Sequence, residues 1–573
     1  MKRSFYLIAL LLFASFSASA GVVPMTRAKA EAERFLKDVA PARSPKLQLM
    51  FESPRMTKAG LTDPEYFIFE DARGGYVIAA GDDAVPPVLG YSTSEFFRTE
   101  EMPENLRAWL DMWTDIVDEA RLRNAAPYTA TTKPTGRAKL LKTALWGQSA
   151  PYNNHCVEVN GKRSVTGCTA TATAILMRYH KWPKKGKGTI PSYTFEDSKG
   201  NSHTVSSIPL GHPYDWDNMP LYDPSEEKWT DDQKEEVSIL MQELGVMLQS
   251  NYAPSGTSAS SGDIGPCLAK YMDYDAGVVY ETKSMYANVE DWVDRIIKNI
   301  DEIGPVAYRA SSPEQGGHAF ILDGYDENGF VHVNWGWNGS GNGYYVIPVF
   351  DDFTDGHGAT FGAKKNAGGT AQDMLQLYES GLSCSVTEFA VGVPFELSCP
   401  AVLNVGASTF DGEVAFVRVD RFGRMVEQVS EAVSLSLDHY YYRQIAIPCE
   451  IKTPIQAGDK VQLMLRSAKT PSWTAVRSDY EAGAVAWIQV GDVPVETFTS
   501  LSYSPATGIL TVSFSDEASC ELRRGSSVIR DGVSETGREV QIDANQLAPS
   551  SYTLRLKRGG QVKDITLKFG LKK

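Results

Sequence analysis

Four stretches of the chain carry apolar residues at intervals of three and four, the spacing of one face of an α-helix: Thr26–Val39, Leu106–Asn124, Cys168–Lys181 and Asp231–Leu248. Elsewhere apolar residues alternate, or run in short blocks bounded by Gly, Asp and Pro, the mark of strands. Tyr66–Glu70 with Gly75–Ala80 predicts a strand pair, and Pro305–Arg309, His318–Tyr325, Gly329–Trp335 and Gly343–Ile347 predict a second β-rich region. Beyond Ser383 the texture is wholly that of short alternating strands, among them Phe395–Leu403, Glu413–Asp420, Lys460–Arg466 and Ala484–Val490.

These elements divide the 573 residues into five expected parts. Lys2, Arg3, the apolar run from Phe5 to Phe16 and Ala18-Ser19-Ala20 predict a cleaved signal peptide at 1–20, and no later run is long enough to span a membrane. A mixed α/β segment at 21–139 ends in a linker rich in Thr, Pro, Arg and Lys, Ala130–Lys142, of the exposed kind that proteases cut. Residues 140–382 place helices first and strands after, an α+β region. Residues 383–492 predict an immunoglobulin-like sandwich, and 493–573 a second β module. The formal charge of −15 argues against nucleic acid as a partner. Seven scattered cysteines make no dense disulfide framework, and an odd count leaves at least one thiol unpaired.

Candidate chemistry changes the picture most at Thr166–Pro183, T-G-C-T-A-T-A-T-A-I-L-M-R-Y-H-K-W-P. Thr166 is placed to cap the helix and Pro183 to end it. Cys168 then falls in the first turn, where unpaired N–H groups and the positive end of the dipole favour a thiolate nucleophile. Gly167, lacking a Cβ, lets another backbone approach, as a substrate chain requires. A cysteine there is by itself equally a buried structural residue. Downstream lie G-G-H-A-F-I-L-D-G-Y, with His318, and V-H-V-N-W-G-W, with Asn334. Cysteine, histidine and asparagine in that order fit nucleophile, base and orienter. His332 is the rival histidine. Asp323 is a weaker third member, because its odd offset from His318 faces it to the other side of a regular strand. His155 and Cys156 are too few for a zinc site.

W-G-Q-S-A-P-Y-N (Trp146–Asn153), the Cys168 block, the His318 block and H-V-N-W-G-W-N-G together resemble the streptopain family of papain-fold cysteine peptidases. Papain's own local cysteine signature is absent, so the resemblance is to the bacterial branch. It implies a papain-like catalytic domain, and it selects His318 as base over His332. Gln148 would share the oxyanion with the Cys168 backbone N–H, and Trp335 would shield the His318–Asn334 bond. Gly167, Gly317 and the small-residue loop Ser255–Gly262, with Ser258 and Ser260, would border the substrate groove. The glycine-rich stretch Gly356–Gly369 reads as a mobile loop near the cleft or as linkage. Val77–Thr93 is similar to streptopain-like pro-segments, and the chain's ending is similar to C-terminal modules of exported Bacteroidetes proteins.

The expected function is a secreted cysteine endopeptidase made as a zymogen, acting through a thioester on protein or peptide substrates, with its own pro-segment as inhibitor and no cofactor. A thiol acyltransferase or transglutaminase shares the acyl-enzyme and differs only in the acceptor. A non-catalytic adhesion or inhibitor protein is the other alternative, although such a module needs none of Cys168, His318, Gln148 and Asn334.

Overall fold

The computed structural model describes residues 20–42, 44–53, 63–99, 102–128, 135–222, 228–286, 288–312, 316–347, 356–480 and 482–491, with shorter pieces between 498 and 569. The expected signal peptide, apart from Ala20, lies outside the described residues.

The N-terminal segment is helix α1 (Met25–Val39), strands β1 (Leu47–Glu52), β2 (Tyr66–Asp71), β3 (Tyr76–Ala80) and β4 (Val88–Ser92), then helix α2 (Glu104–Arg123). β3 and β4 are buried at every position, β2 at all but one, and they read as near-continuous apolar runs because helices cover both faces of their sheet. α1 turns Ala28, Ala32 and Leu36 onto one face, against Phe67, Phe69, Val77 and Ala79. α2 turns Leu106, Leu110, Trp113 and Val117 onto the other.

The next region begins with β5 (Lys139–Leu140) and continues through helices α3 (Cys168–His180), α4 (Asp231–Met247) and α5 (Ile264–Tyr271). It proceeds through β6 (Val279–Thr282), α6 (Val289–Glu302), β7 (Val306–Ser312), β8 (Gly316–Tyr325), β9 (Val331–Asn334), β10 (Gly343–Tyr345) and β11 (Gly358–Phe361). All eleven strands form one antiparallel sheet, in the order β1-β2-β3-β4-β10-β9-β8-β7-β11-β6, with β5 on β8. The N-terminal segment is therefore not a separate body. Its last strand hydrogen-bonds to β10, Tyr91 opposite Tyr344 and Gly90 opposite Tyr345. A Cβ on Gly90 would stand 2.6 Å from Tyr345 Cδ1, and one on Gly343 2.6 Å from the Tyr91 carbonyl oxygen. Two glycines thus let the strands meet.

Three expectations are corrected. Part of the expected linker is held: Arg137 pairs with Asp301 at 2.6 Å, and β5 pairs with Gly324 and Tyr325 of β8. The glycine-rich stretch contains β11, wholly buried between β7 and β6; small residues there suit an interior strand. The sandwich starts before Ser383, because Leu375–Tyr378 pairs with Pro394–Asn404 and its leucines lie in the sandwich core.

That sandwich sets a five-stranded sheet against a six-stranded one around Leu377, Leu397, Val402, Phe416 and Leu463. A further β-rich unit follows, with described strands from Phe498–Ser504 to Gln561–Phe569 in two four-stranded sheets.

Candidate active site

Cys168 is the first residue of α3 and is half-buried. Gly167, not Thr166, occupies the cap position, with φ +86°. The Thr166 hydroxyl instead shares a 2.7 Å hydrogen bond with that of Thr171. The positive φ and a crowded neighbour both require glycine: a Cβ would lie 2.6 Å from the Thr257 carbonyl oxygen. The close approach is made by the chain's own Ser255–Gly262 loop. That loop is tied down by Thr257 Oγ1, which donates to the Val165 carbonyl at 2.7 Å, and by Thr169 Oγ1, which donates to the Ala259 carbonyl at 3.2 Å. Ser258 and Ser260 are exposed on it and line a depression of about 590 Å³.

Gln148 is brought to the same place. Its carbonyl accepts from the Thr166 N–H at 3.1 Å. The strand-like run before it is nailed on both sides: Leu145 N–H donates to the Leu221 carbonyl at 2.7 Å and Asn338 N–H to the Trp146 carbonyl at 3.2 Å. The buried Trp146 indole donates to the Pro220 carbonyl at 2.8 Å. Residue 148 therefore sits beside the start of the Cys168 helix.

α3 packs across β7 and β8, and β8 carries His318, half-buried and opposite Ala310 of β7. Gly317, just before it, is exposed; a Cβ there would lie 2.8 Å from Arg309 Nη2, so the guanidinium lies against its backbone. The register of β8 with β7 is unbroken from Gly316 to Leu322. By alternation His318 shares a face with Phe320, and Ile321 takes the other.

Asn334 pairs with Ile321, so it falls on the face away from His318. Its amide donates to Thr143 Oγ1 at 3.0 Å and to the Ala144 carbonyl at 2.9 Å, and its oxygen accepts from Gly336 N–H at 3.2 Å. The expected orienting role of Asn334 does not fit this register. The residue on the His318 face is Trp335, whose ring lies 4.8 Å from Phe320 and whose indole donates to the Gly341 carbonyl at 2.9 Å. His332 pairs with buried Asp323 at 2.5 Å, and Asp323 also accepts from Thr143 Oγ1. His332, Asp323, Thr143 and Asn334 thus form one polar chain that anchors residues 141–144.

Sequence reasoning missed Asn105. It is buried near the start of α2 and donates through Nδ2 to the Trp335 carbonyl at 2.8 Å. Tyr76 Oη donates to the Gly341 carbonyl at 2.9 Å, and Tyr91 Oη to Asp326 at 2.7 Å. The N-terminal segment therefore holds the turn that follows Trp335. Asn105 lies just before the expected helix Leu106–Asn124, and its burial in the first turn of α2 was not marked by the apolar period. Among the described residues no group of His, Cys, Asp and Glu is arranged to hold a metal. The six described cysteines are free. Burial pushes the thiols of Cys156, Cys267 and Cys449 up to about 12, which makes them poor nucleophiles at neutral pH.

Residues 146–345 match the model of the Peptidase C10 family, and residues 20–117 that of the Spi protease inhibitor. Streptopain of Streptococcus pyogenes is 30% identical over 327 residues, which are 53% of this chain and 78% of that protein. The chain belongs to the Peptidase C10 family. As a member it is a cysteine endopeptidase that carries an inhibitor-like N-terminal segment, a zymogen arrangement. The thiol protease/hemagglutinin PrtT of Porphyromonas gingivalis is 31% identical over 386 residues, 63% of this chain and 42% of that protein. The chain thus spans less than half of that relative. A mutant prointerpain A fragment from Prevotella intermedia is 28% identical and covers 56% of this chain and 99% of its own, with TM-score 0.47.

Proposed function

We propose that the chain is an exported C10 peptidase in which Cys168 is the nucleophile, His318 the base and Gln148 the oxyanion donor. Residues 21–139 would keep it latent until the linker is cut. The single observation behind this reading is the Thr166 N–H bond to the Gln148 carbonyl, which sets Gln148 beside the helix that begins at Cys168. The Cys168 thiolate attacks a peptide carbonyl, and the oxyanion takes hydrogen bonds from the Gln148 amide and the Cys168 backbone N–H. As the tetrahedral species collapses, the C–N bond breaks and His318 delivers its proton to the leaving amine. A thioester remains on Cys168. His318 then takes a proton from water, whose oxygen attacks the thioester, and the acid and the thiolate separate. Trp335 forms the apolar floor of the His318 face, and Asn334 holds the neighbouring segment. Ser258, Ser260 and Gly317 edge the groove. The sandwich is proposed to be immunoglobulin-like, and residues 1–20 to direct export.

Cys168→Ala should abolish hydrolysis with the fold retained. His318→Ala should be equally inactive, since the two act as a unit, and Gln148→Ala should lose about 10²–10³ in kcat. Wild-type turnover by Cys168→Ala would overturn the assignment. New amino termini released from a protein substrate separate hydrolysis from acyl transfer.

A further inference from the structure

The turn 438–442 of the sandwich, D-H-Y-Y-Y, presents three successive tyrosines. Tyr440, Tyr441 and Tyr442 are 56%, 67% and 66% exposed. Exposed aromatic rings in a row are unusual on a soluble surface without a partner. The turn beneath them is braced. Tyr440 N–H donates to the Asn404 carbonyl at 2.8 Å, Asn404 N–H to the Tyr441 carbonyl at 3.0 Å, and Asn404 Nδ2 to the Leu437 carbonyl at 2.8 Å. His439 Nδ1 bonds the Gly406 carbonyl at 2.6 Å. Within this frame Tyr440 is held at φ +61°, a region a bulky residue occupies only where its surroundings impose it.

That conformation aims Tyr440 at the catalytic region. A Cβ on Gly262 would lie 3.0 Å from Tyr440 Oη, 3.5 Å from Ser260 Oγ and 3.8 Å from the Tyr280 ring. The charged neighbours of the phenol are Asp263 and Arg309. Arg309 is the residue that lies against Gly317, next to His318, and it donates to the Gly356 carbonyl at 2.9 Å. Gly262 ends the loop whose Thr257 abuts Gly167, next to Cys168. Tyr440 therefore abuts the end of the loop that reaches Gly167 and has Arg309, the neighbour of Gly317, as a charged neighbour. The sandwich is also fastened to the catalytic region: Tyr480 N–H donates to the Ser284 carbonyl at 2.8 Å, and Arg477 lies over the Tyr286 ring, 5.8 Å from its centroid.

We propose that the Tyr440–Tyr442 turn continues the substrate groove and binds an extended segment of polypeptide substrate through its apolar and aromatic side chains, some residues from the bond being cut. Continuity with the groove selects this occupant. Tyrosine offers broad contact at small entropic cost, and the mixed charges nearby, Asp263, Asp438, Arg309 and Arg443, select no polyanion. The proposal rests on the peptidase reading of the cleft.

The test compares two probes on the matured full protein: a tetrapeptide with a fluorogenic leaving group, and the same sequence lengthened by about ten residues including Phe and Leu, a span of roughly 30 Å when extended. The readout is the ratio of kcat/KM for the long probe to that for the short one. Tyr441→Ala/Tyr442→Ala and Tyr440→Gly should each lower this ratio about tenfold, the scale of a lost aromatic anchor, mainly through KM. Both tyrosines of the double variant are exposed, so it tests the idea even if Tyr440→Gly does not fold. A ratio within about twofold of wild type would overturn the extension, whatever else the tyrosines bind. Absence of wild-type turnover on the tetrapeptide would instead overturn the peptidase reading beneath it.

Discussion

The seam between β4 and β10 gives latency a testable energy. Gly90→Val puts a branched side chain where a Cβ alone would stand 2.6 Å from Tyr345 Cδ1, 3.0 Å from its Cε1 and 3.2 Å from the Tyr344 carbonyl oxygen. The Tyr345 ring cannot swing aside. It is 1% exposed, its hydroxyl bonds Tyr76 Oη at 2.7 Å, and it packs on Trp335 and Trp109 at 5.2 and 4.9 Å. Overpacking of this kind costs about 1–3 kcal/mol, which at 1.4 kcal/mol per decade weakens docking about 5- to 150-fold. The core between α1 and the sheet lies on the other face, so the segment itself should stay folded. The assay expresses Gly21–Arg137 alone, titrates it against matured enzyme hydrolysing a short peptide, and compares inhibition constants of wild type and Gly90→Val. Circular dichroism checks the segment's fold. Equal inhibition by a folded variant would refute strand pairing as the basis of docking.

Asn334→Ala strands the buried Ala144 carbonyl, a loss of about 1–3 kcal/mol; it should lower Tm while turnover survives, and the reverse pattern would restore an orienting role. Maturation should cut between Tyr128 and Arg137, because Tyr128 N–H is tied to the Asp83 carbonyl while Lys139 Nζ is tied to the Ile300 carbonyl; N-terminal sequencing that finds a cut after Lys139 would contradict this. Burial first, then Lys283 and Arg309, hold buried His357 down at about 4 against an ordinary 6.5. The unfolded chain therefore takes its proton first as pH falls, and the stability contribution is full above about 6.5 and lost toward 4, about 3 kcal/mol at the acid end. His357→Asn should flatten that part of the denaturation-versus-pH curve, and an unchanged slope would exclude His357 as its source.

The long amphipathic helices were legible because burial on one face leaves a 3.6-residue period: all four expected helices stand within two residues of their predicted ends. α6, outside the four expected helices, carries the same signal: an Asn288 cap followed by Trp292, Ile296, Ile297 and Ile300. β11 was not legible, because glycine and alanine inside a sheet look like a loop until neighbouring strands cover them. Asn334 shows the limit of motifs. H-V-N-W-G-W places alternate residues on opposite faces, and only the pairing of Asn334 with Ile321 tells which face meets His318. The seam was invisible for a similar reason: nothing local in Leu89-Gly90-Tyr91 names Tyr344 and Tyr345 as partners.

One sheet shared by inhibitor and enzyme links latency to the catalytic strand through a short path. β4 fixes β10, Tyr345 of β10 packs on Trp335, and Trp335 packs on Phe320, two residues from His318 on the same face. Asn105 closes a second path by holding the Trp335 carbonyl. If His318 is the base as proposed, a segment docked this way sets the ring floor beneath it without having to fill the proposed groove, so inhibitor and substrate need not compete for the same contacts. Release of the segment also turns β10 into an edge strand, with unpaired backbone groups at Tyr344 and Tyr345 of the kind that template pairing with another chain. Pairing with β4 therefore also shields this edge for as long as the segment stays docked. The two functions cannot be separated by mutating the seam: a variant that docks weakly should mature early and also aggregate more readily before it matures.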